Sequence, residues 1–238
     1  MKKRDFIILG ITTVGLYFLY SKIFKNKNTE LEINNNSEKD DNNENNNELK
    51  SLLFVGDSIS IDKSGKKPLN FTYTSLLRKD LKPKGIDIDV LAIGGKRTSW
   101  MLEQLPKALD KKKYSRVYIF GGINDMFSST TKQTAYNNIQ KMVDLVIKSG
   151  AEPYVIVGYD ARKMMTKEKL NPTKYVPTKD AMFKLAQRYY DFQDNIKDNI
   201  KNTKFVDKID IGGNTGDGSH PNQKGHKLLK EGIIKTII

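Results

Sequence analysis

The sequence has 238 residues, a net charge of +13, two histidines and no cysteine. The lack of cysteine excludes disulfides, thiolate metal sites and a cysteine nucleophile, and two histidines leave little room for a multi-histidine metal centre. The basic residues are scattered rather than clustered, which is typical of a solvated surface, with an anionic partner as the alternative.

The first predicted element is an apolar run over residues 6–20, which follows a basic amino terminus. The run is shorter than the roughly 20 residues that span a bilayer. Counting through Phe24, with the Lys22 side chain reaching the interface, makes it long enough. The residues after the run are not the small ones that signal peptidase requires, so an uncleaved anchor over residues 1–25 is favoured over a signal peptide. Short amino-terminal tails usually stay inside, so we expect a single-pass protein with its main domain outside the cytoplasm.

An asparagine-rich stretch separates this run from the rest of the chain. Residues 26–50 contain few apolar side chains, so burial would not offset the conformational entropy lost on ordering them. We therefore predict a disordered linker over residues 26–50 and a folded domain over residues 51–238.

From residue 51 onward, short apolar runs alternate with longer amphipathic ones. This alternation predicts a doubly wound parallel sheet of about five strands with helices on both faces, a three-layer α/β/α architecture. The predicted strands cover residues 52–55, 86–93, 116–120, 153–157 and 204–206, and the predicted helices cover residues 71–79, 99–109, 131–148 and 178–200, with a last helix from Pro221 to the end. One long irregular connection covers residues 159–177, and such connections often carry function.

Polar and glycine-rich motifs follow four of the predicted strands. They are Gly56-Asp57-Ser58, Gly94-Gly95, Gly121-Gly122-Ile123-Asn124-Asp125 and Asp217-Gly218-Ser219-His220. Open α/β sheets bind ligands at the carboxyl ends of their strands, so one sheet edge would gather all four motifs. The first and third predicted strands are neighbours at the switch point, so Ser58 and Asn124 are expected to face each other across the crevice.

Nucleophilic catalysis is the chemistry that these residue types suggest. Ser58 needs a base to take its proton, and His220 is the histidine predicted to lie in a loop. Asp217, three residues earlier, can accept from the other ring nitrogen and fix the tautomer.

A tetrahedral intermediate also needs hydrogen-bond donors for its oxyanion. The backbone N–H groups of Ser58 and Gly95 and the side-chain amide of Asn124 are the candidates. Taken singly, each motif could be an ordinary turn or helix cap. Asp57 and Asp125 are interpreted as structural turn or cap residues, and His226, one turn into the last helix, as a packing or surface residue.

Together, these motifs resemble those of the SGNH hydrolases, also called the GDSL esterase/lipase family. The resemblance runs from about Leu52 to the carboxyl terminus. The first family block is similar to Phe54-Val55-Gly56-Asp57-Ser58-Ile59, with Ile59 where the family name has leucine. The second supplies a glycine, best matched by Gly95, but Leu91-Ala92-Ile93 stand where the family has an asparagine.

The third and fifth family blocks match in full. They correspond to Gly122-Ile123-Asn124-Asp125 and to Asp217-Gly218-Ser219-His220-Pro221-Asn222. The resemblance implies a flavodoxin-like sheet, no metal or cofactor, and ester hydrolysis with Ser58 as nucleophile, the Asp217–His220 pair, and oxyanion donors at Ser58, Gly95 and Asn124.

We therefore expect a membrane-tethered serine esterase. Residues 159–177 are expected to form the wall of the acyl pocket, and they hold few aliphatic and five basic side chains. These side chains predict a short acyl group, first of all acetyl, on an extracytoplasmic and acidic glycan. The alternative is that residues 159–177 form a mobile solvated loop with no role in substrate selection. An O-acyltransferase on the same site, and a non-catalytic module that binds a glycan or a protein, are the alternative functions. A nucleic-acid partner is not expected, because aromatic residues are not interleaved with a basic stripe.

Overall fold

The computed structural model describes residues 49–172, 176–215 and 217–238. The predicted membrane anchor and all but the end of the predicted linker lie outside these residues. Within the described ranges, no helix is both long enough and apolar enough to cross a bilayer.

The core is a five-stranded parallel sheet. Its strands are β1 (Ser51–Gly56), β4 (Asp87–Ala92), β5 (Arg116–Phe120), β6 (Glu152–Ile156) and β7 (Lys204–Val206), and their order is β4-β1-β5-β6-β7. All neighbouring pairs are parallel. This order reverses direction between β1 and β5, as in a doubly wound flavodoxin-like sheet. The predicted sheet is therefore confirmed, with strand ends within one residue of the prediction.

Strand β1 is an interior strand of the sheet, and its side chains are apolar on both faces. Leu52, Leu53, Phe54 and Val55 are almost completely buried, as expected for a parallel strand covered by helices on both sides. The Phe54 ring stacks on Tyr118 of β5 with ring centroids 4.7 Å apart. This packing fixes the strand that leads into Ser58.

The helices form the two outer layers. They are α1 (Tyr73–Leu81), α2 (Thr98–Lys111), α3 (Ile123–Met126), α4 (Lys132–Lys148), α5 (Ala161–Met164), α6 (Lys179–Asn199) and α7 (Gln223–Ile234). Helix α1 packs with α7, and α4 packs with both α2 and α6. The chain moves in one direction across the sheet from β1 to β4 and in the other from β4 through β5 and β6 to β7. With connections of the usual right hand, this reversal places the two groups of helices on opposite faces of the sheet.

Besides the short helices α3 and α5, which were not predicted, two further details differ from the sequence prediction. The last helix begins at Gln223 rather than Pro221, because Asn222 is extended and its side chain accepts a hydrogen bond from the Gly225 N–H at 3.0 Å. Asn222 is thus the N-cap. A short exposed hairpin, β2 (Lys63–Ser64) with β3 (Lys67–Pro68), was not predicted and emerges after the Ser58 turn.

Strand register brings the carboxyl ends of three strands together. Gly56, the last residue of β1, pairs with Ala92 of β4 and with Phe120 of β5. The segments that follow these residues carry Ser58, Gly95 and Asn124. The predicted gathering of these motifs at one sheet edge is observed.

Candidate active site

The Ser58 turn is tight and held from within. The Asp57 carbonyl accepts from the Ser60 N–H at 3.0 Å, and Asp57 Oδ1 accepts from the Ile59 N–H at 3.1 Å. Gly56 is required because an added Cβ would lie 2.3 Å from Ser60 Oγ and 3.0 Å from the Phe120 carbonyl oxygen. Asp57 is buried, whereas Ser58 is partly exposed at the sheet edge.

The loop before α7 is organised around one carboxylate oxygen. Asp217 Oδ1 accepts from the His220 N–H at 2.7 Å, the Ser219 N–H at 2.9 Å and Ser219 Oγ at 3.0 Å. Tyr159, buried after β6, donates its hydroxyl to the Ser219 carbonyl at 2.6 Å. These bonds leave Asp217 Oδ2 free to face the His220 ring.

Ser58, His220 and Asp217 form a continuous chain of hydrogen bonds. Ser58 Oγ lies 2.8 Å from His220 Nε2, and His220 Nδ1 lies 2.8 Å from Asp217 Oδ2. Because a carboxylate can only accept, we assign the His220 proton to Nδ1, which leaves Nε2 free to accept from Ser58. The arrangement can deprotonate a serine hydroxyl.

The pKa values of Asp217 and His220 follow from these hydrogen bonds and from burial. Burial raises the pKa of Asp217, but the hydrogen bonds and charge of His220 outweigh burial and lower it to about 2. Burial lowers the pKa of His220, but the hydrogen bond and charge of Asp217, with a further contribution from Asp57, raise it above its ordinary value. The pair therefore favours an ionised Asp217 beside a basic imidazole.

The oxyanion candidates follow three different strands: Ser58 follows β1, Gly95 follows β4, and Asn124 follows β5 in helix α3. Gly95 has φ +73°, the left-handed region that favours glycine, in the turn after β4. Within the described residues, neither the Ser58 N–H nor the Gly95 N–H donates to a protein acceptor. Asn124 Nδ2 donates to Asp57 Oδ2 and to the Lys96 carbonyl, both at 3.1 Å. Its amide hydrogens are thus both engaged, which the sequence prediction did not anticipate.

Asp125 has the structural role that was predicted for it. Its buried carboxylate accepts from the Thr98 N–H at 3.0 Å and from Thr98 Oγ1 at 2.7 Å. This contact caps the start of α2 and ties the loop after β4 to the loop after β5. Asp125 thereby fixes the spacing between Gly95 and Asn124.

His226 is not part of the hydrogen-bonded chain. Its side chain is buried, and its Nδ1 accepts from the Tyr73 N–H at 3.3 Å. Burial, and then the charge of His220, lower the pKa of His226 to about 4. His226 is therefore a packing residue, one of the two roles that the sequence left open for it. Among the described residues, no group of three or more His, Asp or Glu side chains could hold a metal ion.

The connection over residues 159–177, expected to be the wall of the acyl pocket, spends most of its side chains on contacts within the protein. Three of its four aliphatic side chains, Met164, Met165 and Leu170, are buried in the core, and the fourth, Val176, is partly buried against it. Its basic side chains are engaged by the protein itself: Arg162 pairs with Asp194, Lys163 with Asp210, and Lys167 with Asp180, while Lys169 donates to the Lys163 carbonyl. These four side chains are thus already engaged within the protein although three of them are about half exposed. That they face the substrate stays a prediction, and Lys174 lies outside the described residues.

Known proteins resemble this chain in both sequence and fold. A family model, the GDSL-like lipase/acylhydrolase family, matches residues 54–228. An arylesterase from Vibrio mimicus is 33% identical over 104 residues, which are 43% of this chain and 51% of that protein. The chain thus matches about half the length of this curated relative.

Solved structures share the fold. A GDSL-like lipase from Bacteroides thetaiotaomicron has a TM-score of 0.55 at 19% identity, over 79% of this chain and 88% of that chain. A catalytic mutant of an acetylxylan esterase from Geobacillus stearothermophilus has a TM-score of 0.59 at 16% identity, over 79% and 94%. A lipase/acylhydrolase from Enterococcus faecalis has a TM-score of 0.55 at 18% identity, over 79% and 95%.

Proposed function

Since the chain belongs to the GDSL-like lipase/acylhydrolase family, we propose that it hydrolyses carboxylic esters with Ser58 as the nucleophile. The observation that carries this proposal is the chain of two 2.8 Å contacts from Ser58 Oγ through His220 to Asp217. A non-catalytic binding module would not need a serine, an imidazole and a carboxylate in hydrogen-bonding order.

In the acylation step, Ser58 Oγ attacks the ester carbonyl while His220 Nε2 takes the hydroxyl proton. Asp217 stabilises the imidazolium that forms. The oxyanion of the tetrahedral intermediate accepts hydrogen bonds from the Ser58 and Gly95 N–H groups and from Asn124. The carbon–oxygen bond to the alcohol then breaks, and His220 returns its proton to the leaving alcohol oxygen.

In the second step, water attacks the acyl-serine while His220 takes a proton from the water, and a second tetrahedral intermediate forms at the same donors. The bond from the acyl carbon to Ser58 Oγ then breaks, and His220 returns the proton to Ser58 Oγ, which releases the acid and restores the free serine. An acyltransferase would use a sugar hydroxyl in place of water. Product analysis with and without an acceptor glycan separates the two, because only a transferase yields an acceptor-dependent ester.

The acyl group is proposed to be short, with acetyl first. This is supported by the burial of Met164, Met165 and Leu170, which leaves these side chains unable to line an acyl tunnel. Aryl acetate and aryl decanoate esters test the proposal by their kcat/KM values. Faster turnover of the decanoate would contradict a short-acyl preference.

The alcohol is proposed to be a glycan, and acetylxylan esterases among the structural neighbours support that class. For an acidic glycan, the charges proposed to attract it are the exposed lysines of the β2–β3 hairpin, namely Lys63, Lys66 and Lys67. This hairpin emerges from the same sheet edge that carries Ser58. Attraction of this kind raises association rates and weakens with salt.

A triple glutamine variant of the hairpin lysines tests this charge directly. We expect lower kcat/KM on an acetylated acidic glycan at low salt and no change on a neutral one. The matched control is the triple glutamine variant of Lys79, Lys82 and Lys84, which are exposed near the far end of α1. Equal losses in both variants, or no loss in the hairpin variant, would contradict a local role for the hairpin.

Membrane attachment through residues 1–25, with the main domain outside the cytoplasm, is part of the same proposal. Its support is the apolar run over residues 6–20. The full chain should partition with membranes after high-salt washing, and a chain that starts at Leu49 should not. Recovery of the full chain in the aqueous fraction would contradict the anchor.

A further inference from the structure

Asp57 is a buried carboxylate whose two oxygens face different donors. The residue is 1% exposed. Its Oδ1 accepts from the Ile59 N–H, and its Oδ2 accepts from Asn124 Nδ2, each at 3.1 Å. One side chain therefore connects the Ser58 turn after β1 to α3, the short helix after β5.

The Asn124 amide has more acceptors to serve than it has hydrogens. Nδ2 carries two hydrogens. Asp57 Oδ2 accepts one, and the Lys96 carbonyl accepts the other at 3.1 Å. An oxyanion is a third acceptor for the same group. Asn124 can serve it only if one of the two existing hydrogen bonds is released.

The two existing partners of Asn124 differ in strength and rigidity. Asp57 is buried and fixed by Ile59, and a hydrogen bond to a carboxylate is about twice as strong as one between neutral groups. Lys96 offers a neutral carbonyl in a partly exposed loop, directly after Gly94 and Gly95. Of the two hydrogen bonds, the one to Lys96 is therefore the easier to break.

We propose that Asp57 is a positioning residue of the oxyanion site, which holds the Asn124 amide throughout the reaction while the Lys96 carbonyl gives way to the substrate oxygen. This inference rests on the proposed ester hydrolysis at Ser58. It explains why an aspartate suits this position. The Ile59 N–H and Asn124 Nδ2 each need an acceptor oxygen, and a carboxylate has two. An asparagine has one acceptor oxygen, and its N–H₂ group would face one of these donors with another donor.

The kinetic test uses the full chain and an aryl acetate ester. Asp57→Asn should lower kcat by about 10–100-fold, less than full removal of an oxyanion donor, with KM within about twofold. Asp57→Ser separates loss of an acceptor from gain of an opposing donor and should also lower kcat. The matched control is Asp62→Asn, which should leave kcat unchanged. The Asp62 carboxylate lies on the same segment but pairs with Arg78 at 2.7 Å.

A double-mutant cycle with Asn124→Ala separates positioning from general structural damage. If Asp57 acts through Asn124, Asp57→Asn should cost less than about threefold in kcat once Asn124 is alanine. Fully additive losses, or an effect confined to KM, would overturn the proposal. Retained activity in Ser58→Ala would overturn the proposed ester hydrolysis at Ser58. If Ser58→Ala is inactive but Asp57→Asn has wild-type activity, only the positioning role of Asp57 is overturned.

A structure of the wild-type protein with Ser58 phosphonylated tests the exchange without any variant. We expect Asn124 Nδ2 to stay within hydrogen-bond distance of Asp57 Oδ2, to contact the phosphonyl oxygen, and to leave the Lys96 carbonyl. Retention of the Lys96 contact with release of Asp57 would overturn the proposal.

Discussion

Replacement of Asp217 by asparagine should disable the site through the tautomer of His220. Asp217 Oδ1 is held by three donors, two backbone N–H groups and Ser219 Oγ. An asparagine must keep its oxygen there, because its N–H₂ group cannot face those donors. The N–H₂ group then lies where Oδ2 was and donates to His220 Nδ1. The imidazole proton moves to Nε2, and the base for Ser58 is lost.

The expected loss is large in activity and smaller in stability. The wrong tautomer should lower kcat by about 10³–10⁴-fold, as in serine proteases. The pKa of Asp217 falls from 3.8 to about 2 in the folded protein, and its side chain is 13% exposed. Ionised Asp217 therefore contributes about 2 kcal/mol to the free energy of unfolding.

Because the folded pKa is lowered, this contribution is fully present above about pH 4 and is lost as the pH falls towards 2. At neutral pH the variant should melt about 4–8 °C lower. The gap should shrink on acidification.

The assay is steady-state hydrolysis of an aryl acetate, with thermal unfolding followed by circular dichroism. Asp210→Asn is the matched control, since Asp210 also accepts a loop N–H, from Gly212, but pairs with Lys163 rather than His220. A kcat for Asp217→Asn within tenfold of the wild-type value would refute this account of the tautomer.

Three further predictions concern the same site. Asn124→Ala should lower kcat by about 10²–10³-fold with little change in KM, and a change confined to KM would make it a substrate-binding residue. Because His220 must be neutral to accept a proton and its pKa is raised, kcat/KM should fall with decreasing pH at a midpoint above 6.5; His226→Gln should leave that midpoint in place, and a shift would contradict the assignment. Tyr159→Phe leaves the Ser219 carbonyl without its buried donor and should lower the free energy of unfolding by about 1–3 kcal/mol in denaturant titration, whereas an unchanged midpoint would show that the contact is dispensable.

The sheet could be predicted from the sequence because burial dictates its residues. The apolar run of β1 is uninterrupted, and glycines mark where it and β5 end. The β2–β3 hairpin carries no such signal, since its strand residues are polar or proline and exposed. The one local sign in the sequence is Gly65, which takes the left-handed φ of +61° in the turn between the two strands.

The site was predictable where side-chain chemistry is distinctive, and not where backbone or distant contacts decide. Ser58, Asp217 and His220 lie together as their motifs predict. The Lys96 carbonyl that engages Asn124 is a backbone group, which residue identity does not reveal. The ion pair of Lys163 with Asp210 joins residues 47 apart, so its neutralising effect appears only in three dimensions.

Covalent labelling of Ser58 tests the central claim most directly. A fluorophosphonate probe should modify the wild-type protein at one residue, identified as Ser58 by peptide mass spectrometry. Ser58→Ala should lose both labelling and esterase turnover while melting within a few degrees of the wild-type protein. Labelling at another residue, or retained turnover in a folded Ser58→Ala, would contradict the assignment of Ser58 as the nucleophile.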